Sequence, residues 1–140
     1  MLTKKSKYAL KALLYMAKKS DLVQISELAR EEKIPQKFLE SILLELKRHG
    51  LLNSKRGKDG GYQLRDSPEK ITFGQIIRTL DGPLAPVACV SHLYYERCEE
   101  CVDETTCHIR RVMKMVRDET CNILDHTSLS DALKNETFVI

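Results

Sequence analysis

Four cysteines lie close together in the second half of this chain, with the spacing C-x8-C-x2-C-x5-C: Cys89, Cys98, Cys101 and Cys107. Thiols clustered in this way can form disulfides, act as a redox dithiol or bind a metal. A thioredoxin-type dithiol needs a βαβ setting that this sequence lacks, and the surrounding acidic residues disfavour a reactive thiolate. Convergent thiolates select zinc or an iron–sulfur cluster. The pattern predicts a metal site and leaves the metal open, because zinc sites usually show two Cys-x2-Cys pairs and this region has one.

The expected compartment also argues against disulfides. The N-terminal residues 1–7 are basic, but no signal-peptide apolar run or small-residue cleavage site follows them. No stretch approaches the roughly 18 to 20 apolar residues that span a bilayer. We therefore expect a cytoplasmic protein with no membrane partner, and cytoplasmic thiols are kept reduced.

The composition is that of one soluble domain. The chain has 140 residues, of which 42% are hydrophobic and 31% charged, a balance that can bury a core. It contains no glycine-rich nucleotide loop, and no nucleophile–base constellation stands out. We therefore expect a protein that is not an enzyme.

The two halves of the chain carry opposite charge. Residues 1–65 hold 15 Lys and Arg against 7 Asp and Glu, a net charge of +8, whereas residues 66–140 have a net charge of −5. A basic half favours a polyanion as partner, because each phosphate that Lys or Arg neutralises releases counterions. A solvated lysine-rich surface would give the same charge, so the charge alone does not decide.

Three amphipathic segments in the basic half predict three helices: residues 3–19, residues 25–32 with Ser26 as N-cap, and residues 35–49. The third places Phe38 and four aliphatic residues on one face. Its opposite face is polar and includes Gln36, Lys37, Glu40 and Ser41. A short helix, a tight turn and a longer helix form the helix-turn-helix motif, whose second helix enters the major groove. An antiparallel helical hairpin fits this stretch equally well.

The segment that follows favours the DNA-binding alternative. Residues 51–56 and 62–64 are strand-like, and a glycine-rich turn separates them in which Asp59-Gly60 is expected to supply the positive-φ residues. Arg56 and Lys58 place positive charge at the tip of this turn, and Gly57 lets the backbone approach another molecule closely. A basic hairpin after a helix-turn-helix is the wing of a winged helix. We predict a mainly α fold with a small β-hairpin wing, and a DNA-binding domain over residues 1–66.

Residues 67–140 are expected to form a second functional part. Thr72 begins a capping box before a short helix at residues 76–80. A cysteine-rich loop over residues 89–107 follows, and a long helix is expected at residues 106–126. The long helix carries an apolar seam of Ile109, Val112, Met113, Val116, Thr120, Ile123 and Leu124. The seam could pack on its own domain, but helix-turn-helix proteins usually bind paired half-sites as dimers, so we favour a dimer. Cys121 on this helix is expected to be a small buried apolar residue.

Three stretches give the sequence a specific resemblance to a known family. "LTKKSKYALKAL" resembles the N-terminal helix of the Rrf-two family of bacterial winged-helix transcription regulators (IscR- and NsrR-like), "FLESILLELKRHGLLNSKRGKDGGYQL" resembles its recognition helix and wing, and the cysteine region is the third. The match implies double-stranded DNA as partner, base contacts by Glu40 and Ser41, and a wing contact by Arg56. We add residues of the polar helix face, the wing turn and the basic N-terminus, which gives the candidate DNA-binding set Lys4, Lys5, Gln36, Lys37, Glu40, Ser41, Arg56, Gly57 and Lys58. Lys58-Asp59 departs from the proline and glycine that IscR-like wings often have there.

The same resemblance implies an iron–sulfur cluster and dimerisation through the long helix. Cys89, Cys101 and Cys107 match the three cysteines of cluster-binding members. The family's two familiar fourth ligands fall on Lys7 and Arg110, neither of which can serve, and Cys98 is the natural replacement; His92 and His108 are further candidates. The expected function is a homodimeric, sequence-specific regulator whose DNA affinity is set by a 2Fe-2S or 4Fe-4S cluster. The alternative is a winged-helix regulator with structural zinc or a simple thiol switch.

Overall fold

The computed structural model describes residues 2–134. Its elements, in chain order, are α1 (Lys4–Lys19), α2 (Ile25–Glu32), α3 (Gln36–Arg48), β1 (Leu52–Lys55), β2 (Gly61–Leu64), α4 (Phe73–Asp81), α5 (His108–Asp125) and α6 (Leu129–Lys134), with 3-10 turns at Pro68–Lys70 and Ala88–Val90. The prediction of a mainly helical winged-helix fold with a two-stranded hairpin is confirmed. The predicted second part extends to residue 140, and its last six residues lie outside the described residues.

The two helices of the helix-turn-helix are packed through one apolar face each. Leu28 of α2 and Leu39, Ile42, Leu43 and Leu46 of α3 are fully buried, as the apolar spacing predicted. The residue that caps α2 is Gln24 and not Ser26, which lies inside the helix. That prediction was wrong because a Ser26 cap requires the helix to begin at residue 27, and α2 begins two residues earlier, at Ile25.

The wing (residues 52–64) is an antiparallel hairpin in the register Leu52↔Leu64 to Lys55↔Gly61. An isolated bridge between Val23 and Tyr62 attaches it to the segment before α2. The positive-φ residues are Gly57 at +105° and Gly61 at +154°, so the prediction of Asp59-Gly60 was wrong. The turn spans more residues than a two-residue hairpin, and its left-handed positions therefore fall at its two ends.

One hydrophobic core contains residues from both halves of the chain. Ile71, Ile76, Leu80 and Leu129 are buried in the same cluster as the apolar face of α1. Thr72 caps α4 by accepting a hydrogen bond of 3.2 Å from the Gln75 amide, which confirms the N-cap half of the predicted capping box. Helix α4 is longer than the predicted residues 76–80. The last helix, α6, was not predicted.

The long helix α5 begins at His108 and ends at Asp125, slightly inside the predicted bounds of 106–126. Cys107 is its N-cap, and its sulfur accepts from the Arg110 amide at 3.4 Å. The buried Arg117 donates to the Val90 carbonyl at 2.5 Å, which joins α5 to the short turn that contains Cys89. Among residues 2–134, no helix is long and apolar enough to cross a bilayer.

Candidate nucleic-acid interface and cysteine pocket

The outward face of α3 carries the polar residues that the sequence singled out. Gln36, Lys37, Glu40 and Ser41 are all exposed, and they occupy the first two turns of the helix. The Ser41 hydroxyl donates to the Phe38 carbonyl at 2.9 Å, which orients its oxygen on this face. A helix whose N-terminal half presents acceptors and donors to solvent suits contact with base edges in a major groove.

The two lysines at the start of α1 differ in their surroundings. Lys4 is exposed. The Lys5 ammonium lies 3.4 Å from a carboxylate oxygen of Glu45 on α3, and both side chains are about one-third exposed. Lys5 therefore links α1 to α3, and Glu45 partly neutralises its charge.

The wing tip (residues 56–60) stands beside α3. Arg56, Gly57 and Lys58 are exposed there. A groove of about 480 Å³ separates the wing from the helices, and Gln36, Arg56 and Gly57 line it. The structure thus brings predicted residues of α3 and of the wing to one groove.

The candidate set left out other side chains that line this groove, among them Gln24, Leu44, Lys47, Ser54 and Tyr62. Lys47 donates to the Ser54 hydroxyl at 2.6 Å across the groove. Leu44 is 42% exposed, and it lies one turn after Glu40 on the outward face. The helical spacing from Glu40 could have identified Leu44, whereas the role of Gln24 depends on a contact that spans 34 residues of sequence.

All four predicted metal ligands line one cavity. Cys89, Cys98, Cys101 and Cys107 surround a space of about 480 Å³ at the N-terminal end of α5. Its other walls combine the apolar side chains of Val87, Val102 and Ile109 with Arg110 and with the acidic side chains of Glu100, Asp103 and Glu104. The cysteine loop (residues 89–107) therefore folds back on itself at the start of α5.

The pKa of Cys98 depends on the acidic and thiol groups that surround it in this cavity. Partial desolvation, the charge of Glu100 and the neighbouring thiols of Cys89 and Cys101 raise the pKa of Cys98. Negative charges on neighbouring thiolates repel one another, and a bound metal cation would offset this repulsion, because thiol ligands bind in the deprotonated form. Soft sulfur donors that line one cavity fit an iron–sulfur cluster or zinc.

Two arginines secure the backbone of the cysteine loop. Arg97 donates to the carbonyls of Cys101 and Val102 at 3.4 and 3.5 Å, and the Nε of Arg110 donates to the Cys89 carbonyl at 3.3 Å. Within residues 2–134, however, no three His, Cys, Asp or Glu side chains are gathered closely enough to form a ready-made metal site. The thiols share a cavity and would have to draw together to ligate.

The outward side of α5 is apolar. Four residues of the predicted seam are exposed, between 44% and 70%: Ile109, Val112, Val116 and Ile123. Met113, Thr120 and Leu124 are half-buried. The seam thus faces away from its own domain over most of its length, as a helix with a partner outside the domain would.

Cys121 is not a plain core residue. Its side chain is half-buried, and its sulfur lies 3.5 Å from a guanidinium nitrogen of Arg78. The expectation of a buried apolar cysteine was therefore wrong, because the opposite side of α5 packs against α4 at a polar contact.

Comparison with known proteins agrees with these features. The family model described as "Iron-dependent Transcriptional regulator" (Rrf2) matches residues 2–135. A putative HTH-type transcriptional regulator from Rhodobacter capsulatus, described as rrf2-like, is 39% identical over 138 residues, which cover 95% of this chain and 92% of the relative.

Solved structures show the same fold. CymR of Bacillus subtilis, described as a global cysteine regulator, superposes with a TM-score of 0.81 at 29% identity, and the match covers 98% of each chain. The oxidized form of CymR from Staphylococcus aureus gives a TM-score of 0.71 at 27% identity, covering 100% of this chain and 99% of the other.

The family match extends over every described residue, and the fold is that of a DNA-binding winged helix. Such regulators are not enzymes. The chain belongs to the Rrf2 (Rrf-two) family of transcriptional regulators.

Proposed function

We propose that this regulator acts as a homodimer that binds a specific operator, and that an iron–sulfur cluster held by Cys89, Cys98, Cys101 and Cys107 sets its DNA affinity. The observation that carries the proposal is the single cavity that all four thiols line. The description of the family as iron-dependent supports it.

The DNA step uses the two surfaces that flank the groove. The Glu40 carboxylate would accept from a cytosine amino group in the major groove, with Gln36, Lys37 and Ser41 beside it. Arg56, Gly57 and Lys58 would contact phosphates or a narrow minor groove from the wing. Lys4 and Lys5 would approach the backbone from the start of α1. We assign this work to residues 1–66.

The second functional part, residues 67–140, would supply dimerisation and sensing. The exposed apolar side of α5 supports a dimer, because an apolar stripe of this length is stabilised by burial against a second copy. The family's role in transcription and the reduced thiols that the cluster requires both favour the cytoplasm.

A bound cluster would supply a redox- and ligand-sensitive centre, and two- and four-iron clusters both take four thiolates. The chain's own contribution is the loop that holds the thiols. Arg97 and Arg110 fix its carbonyls. Cys98 provides the fourth sulfur where Lys7 and Arg110 replace the ligands known in relatives.

Contacts between elements connect this loop to the DNA-binding face. Arg110 and Arg117 tie the loop to α5, and Arg78 of α4 pairs with Asp125 of α5. The Asp81 carboxylate at the end of α4 accepts from the Thr3 hydroxyl at 2.6 Å, at the start of α1. Drawing the thiols together would therefore bias the position of α5 relative to the recognition helices, within the limit set by the differential affinity of the two states.

The test is anaerobic purification of the wild-type chain with a visible absorption spectrum and iron, sulfide and zinc analysis on one sample. We expect a coloured protein with matched iron and acid-labile sulfide. Cys89→Ser, Cys98→Ser, Cys101→Ser and Cys107→Ser should each lose it, whereas Cys121→Ser, outside the cavity, should keep it. DNA affinity must then differ between loaded and unloaded protein. A colourless protein, or equal affinities, overturns the proposal.

A second candidate keeps the DNA binding but gives the thiols another task. Its thiol-switch form is favoured by the absence of a ready-made metal-ligand group among residues 2–134 and by the similar fold of a CymR in its oxidized form. The thiols would bind structural zinc, or Cys98 and Cys101 would form a disulfide while a peroxide accepts two electrons and two protons and leaves as water. Stoichiometric zinc, or a peroxide-dependent loss of two thiols, would identify it.

A further inference from the structure

Gln24 occupies a position where another residue type would stabilise the fold better. It is the N-cap of α2, and its side chain makes no capping hydrogen bond with that helix. Ser, Asp, Asn and Thr are preferred at this position because their short side chains accept from the first helical amides. The Gln24 side chain reaches in the other direction: its Nε2 donates to the Lys58 carbonyl, 3.1 Å away at the wing tip.

The base of the wing is already fixed by backbone contacts next to Gln24. Val23 and Tyr62 exchange two hydrogen bonds, of 2.8 and 2.9 Å. Gly61 permits this approach, because a Cβ there would lie 2.4 Å from the Val23 carbonyl oxygen. The base of the wing and the segment before α2 therefore form one frame.

The tip beyond this base is held more lightly. The Gly60 amide donates to the Gly57 carbonyl at 3.0 Å within the turn, and the Gln24 amide contacts Lys58 from outside it. The side chains of Arg56 and Lys58 project from this turn into solvent. The Gln24 contact thus connects the cationic tip directly to the frame that carries α2 and α3.

We infer that Gln24 is a positioning residue of the DNA interface: its amide holds the wing tip so that Arg56 and Lys58 are pre-ordered against the frame of the recognition helix. The inference rests on the proposed DNA contacts of α3 and the wing. Ordering the tip in the free protein reduces the conformational entropy that would otherwise be lost on binding. The cost is a weaker cap on α2.

This assignment predicts effects of opposite sign in one variant. Gln24→Ser supplies a short capping hydroxyl and removes the contact with Lys58. We expect a melting temperature equal to or above that of the wild type, together with a roughly three- to tenfold loss of affinity, the size of one net hydrogen bond. The ligand is a duplex selected from a random pool by the wild-type protein. A purely structural role for Gln24 would move stability and affinity in the same direction.

A double-mutant cycle separates positioning from direct contact. Gln24→Met keeps the length of the side chain and removes its donor, and it is measured in the wild type and in an Arg56→Ala/Lys58→Ala background. We expect the loss of affinity in the wild type and little further loss in the background, because the tip there has no cations to position. Gln63→Met, at an exposed glutamine of β2 outside the groove, is the matched control.

Each other outcome is decisive. Equal losses in both backgrounds would show that Gln24 itself touches DNA, and no loss in the wild type would show that the tip needs no clamp; either result overturns the inference. A failure to select any specific duplex would instead overturn the proposed function, so the two failures are distinguishable.

Discussion

Arg78 and Asp125 form a two-pronged ion pair between α4 and α5. Nη1 of Arg78 lies 2.5 Å from one carboxylate oxygen and Nη2 lies 2.8 Å from the other. Gly74 makes room for it, since a Cβ at that position would lie 2.0 Å from the Asp125 oxygen. The pair fixes the C-terminal end of α5 on the winged-helix core.

Asp125→Asn should destabilise the chain in a pH-dependent way. The hydrogen bonds from Arg78 lower the pKa of Asp125 in the folded state. A depressed carboxyl pKa stabilises the fold above the unfolded value of about 3.9, and this contribution is lost as pH falls through the folded value. We expect a difference of about 1 kcal/mol at pH 7, since the pair is about one-third exposed, and a smaller difference below pH 4.

Urea unfolding of the wild type and variant across this pH range measures the effect. Asp66→Asn, at an exposed aspartate, is the control and should leave stability unchanged. A difference that grows as the solution is acidified would contradict the assignment.

The effect of Gly74→Ala on stability should change sign when Asp125 is replaced. Alanine normally stabilises a helix by about 0.5–1 kcal/mol over glycine, but here its methyl group would displace the Asp125 carboxylate. We expect Gly74→Ala to destabilise the wild type and to stabilise an Asp125→Ala background, in thermal unfolding of the four chains. Stabilisation in both backgrounds would show that the close approach is not a constraint.

Arg56→Ala should weaken operator binding roughly tenfold or more, because a charge-assisted contact is lost. The slope of log affinity against log salt should fall by about one if Arg56 neutralises one phosphate. Gel-shift titrations at several salt concentrations measure both quantities. Lys70→Ala, which removes an exposed cation outside the groove, should change neither, and an unchanged affinity of Arg56→Ala would exclude the wing contact.

Val116→Lys should convert the proposed dimer into a monomer. The Val116 side chain is 44% exposed in the single chain, so the charge can be accommodated in the fold but not in an apolar interface. Sedimentation velocity measures the mass, and circular dichroism checks that the helix content is unchanged. Asn122→Lys adds the same charge to another side of α5 and should remain dimeric; a dimeric Val116→Lys protein would place the interface elsewhere.

Local patterns in the sequence predicted local structure well. The apolar spacing of α3, the Thr72 capping box and the convergence of the cysteines on one place followed from periodicity and spacing. Of the candidate DNA-binding residues, the structure brings Gln36, Arg56 and Gly57 to the same groove, and that they bind DNA stays a prediction.

The remaining features depend on contacts between distant segments. The ion pair of Arg78 with Asp125 spans 47 residues and the contact of Gln24 with Lys58 spans 34, and neither leaves a periodic signal. The Ser26 cap was wrong because Gln24 precedes the helix and serves the wing. Helix α6 was missed because its six residues are too few to show a helical period.

The packing of α6 against α1 affects how chimeric regulators should be designed. Leu129 is fully buried in the core that α1 and α3 share, so the DNA-binding unit is completed by residues near both ends of the described chain. Chimeras of two family members should therefore exchange the segment between α4 and α5 as an inserted cassette. Fusions that join one protein's first half to another's second half would have to rebuild the core.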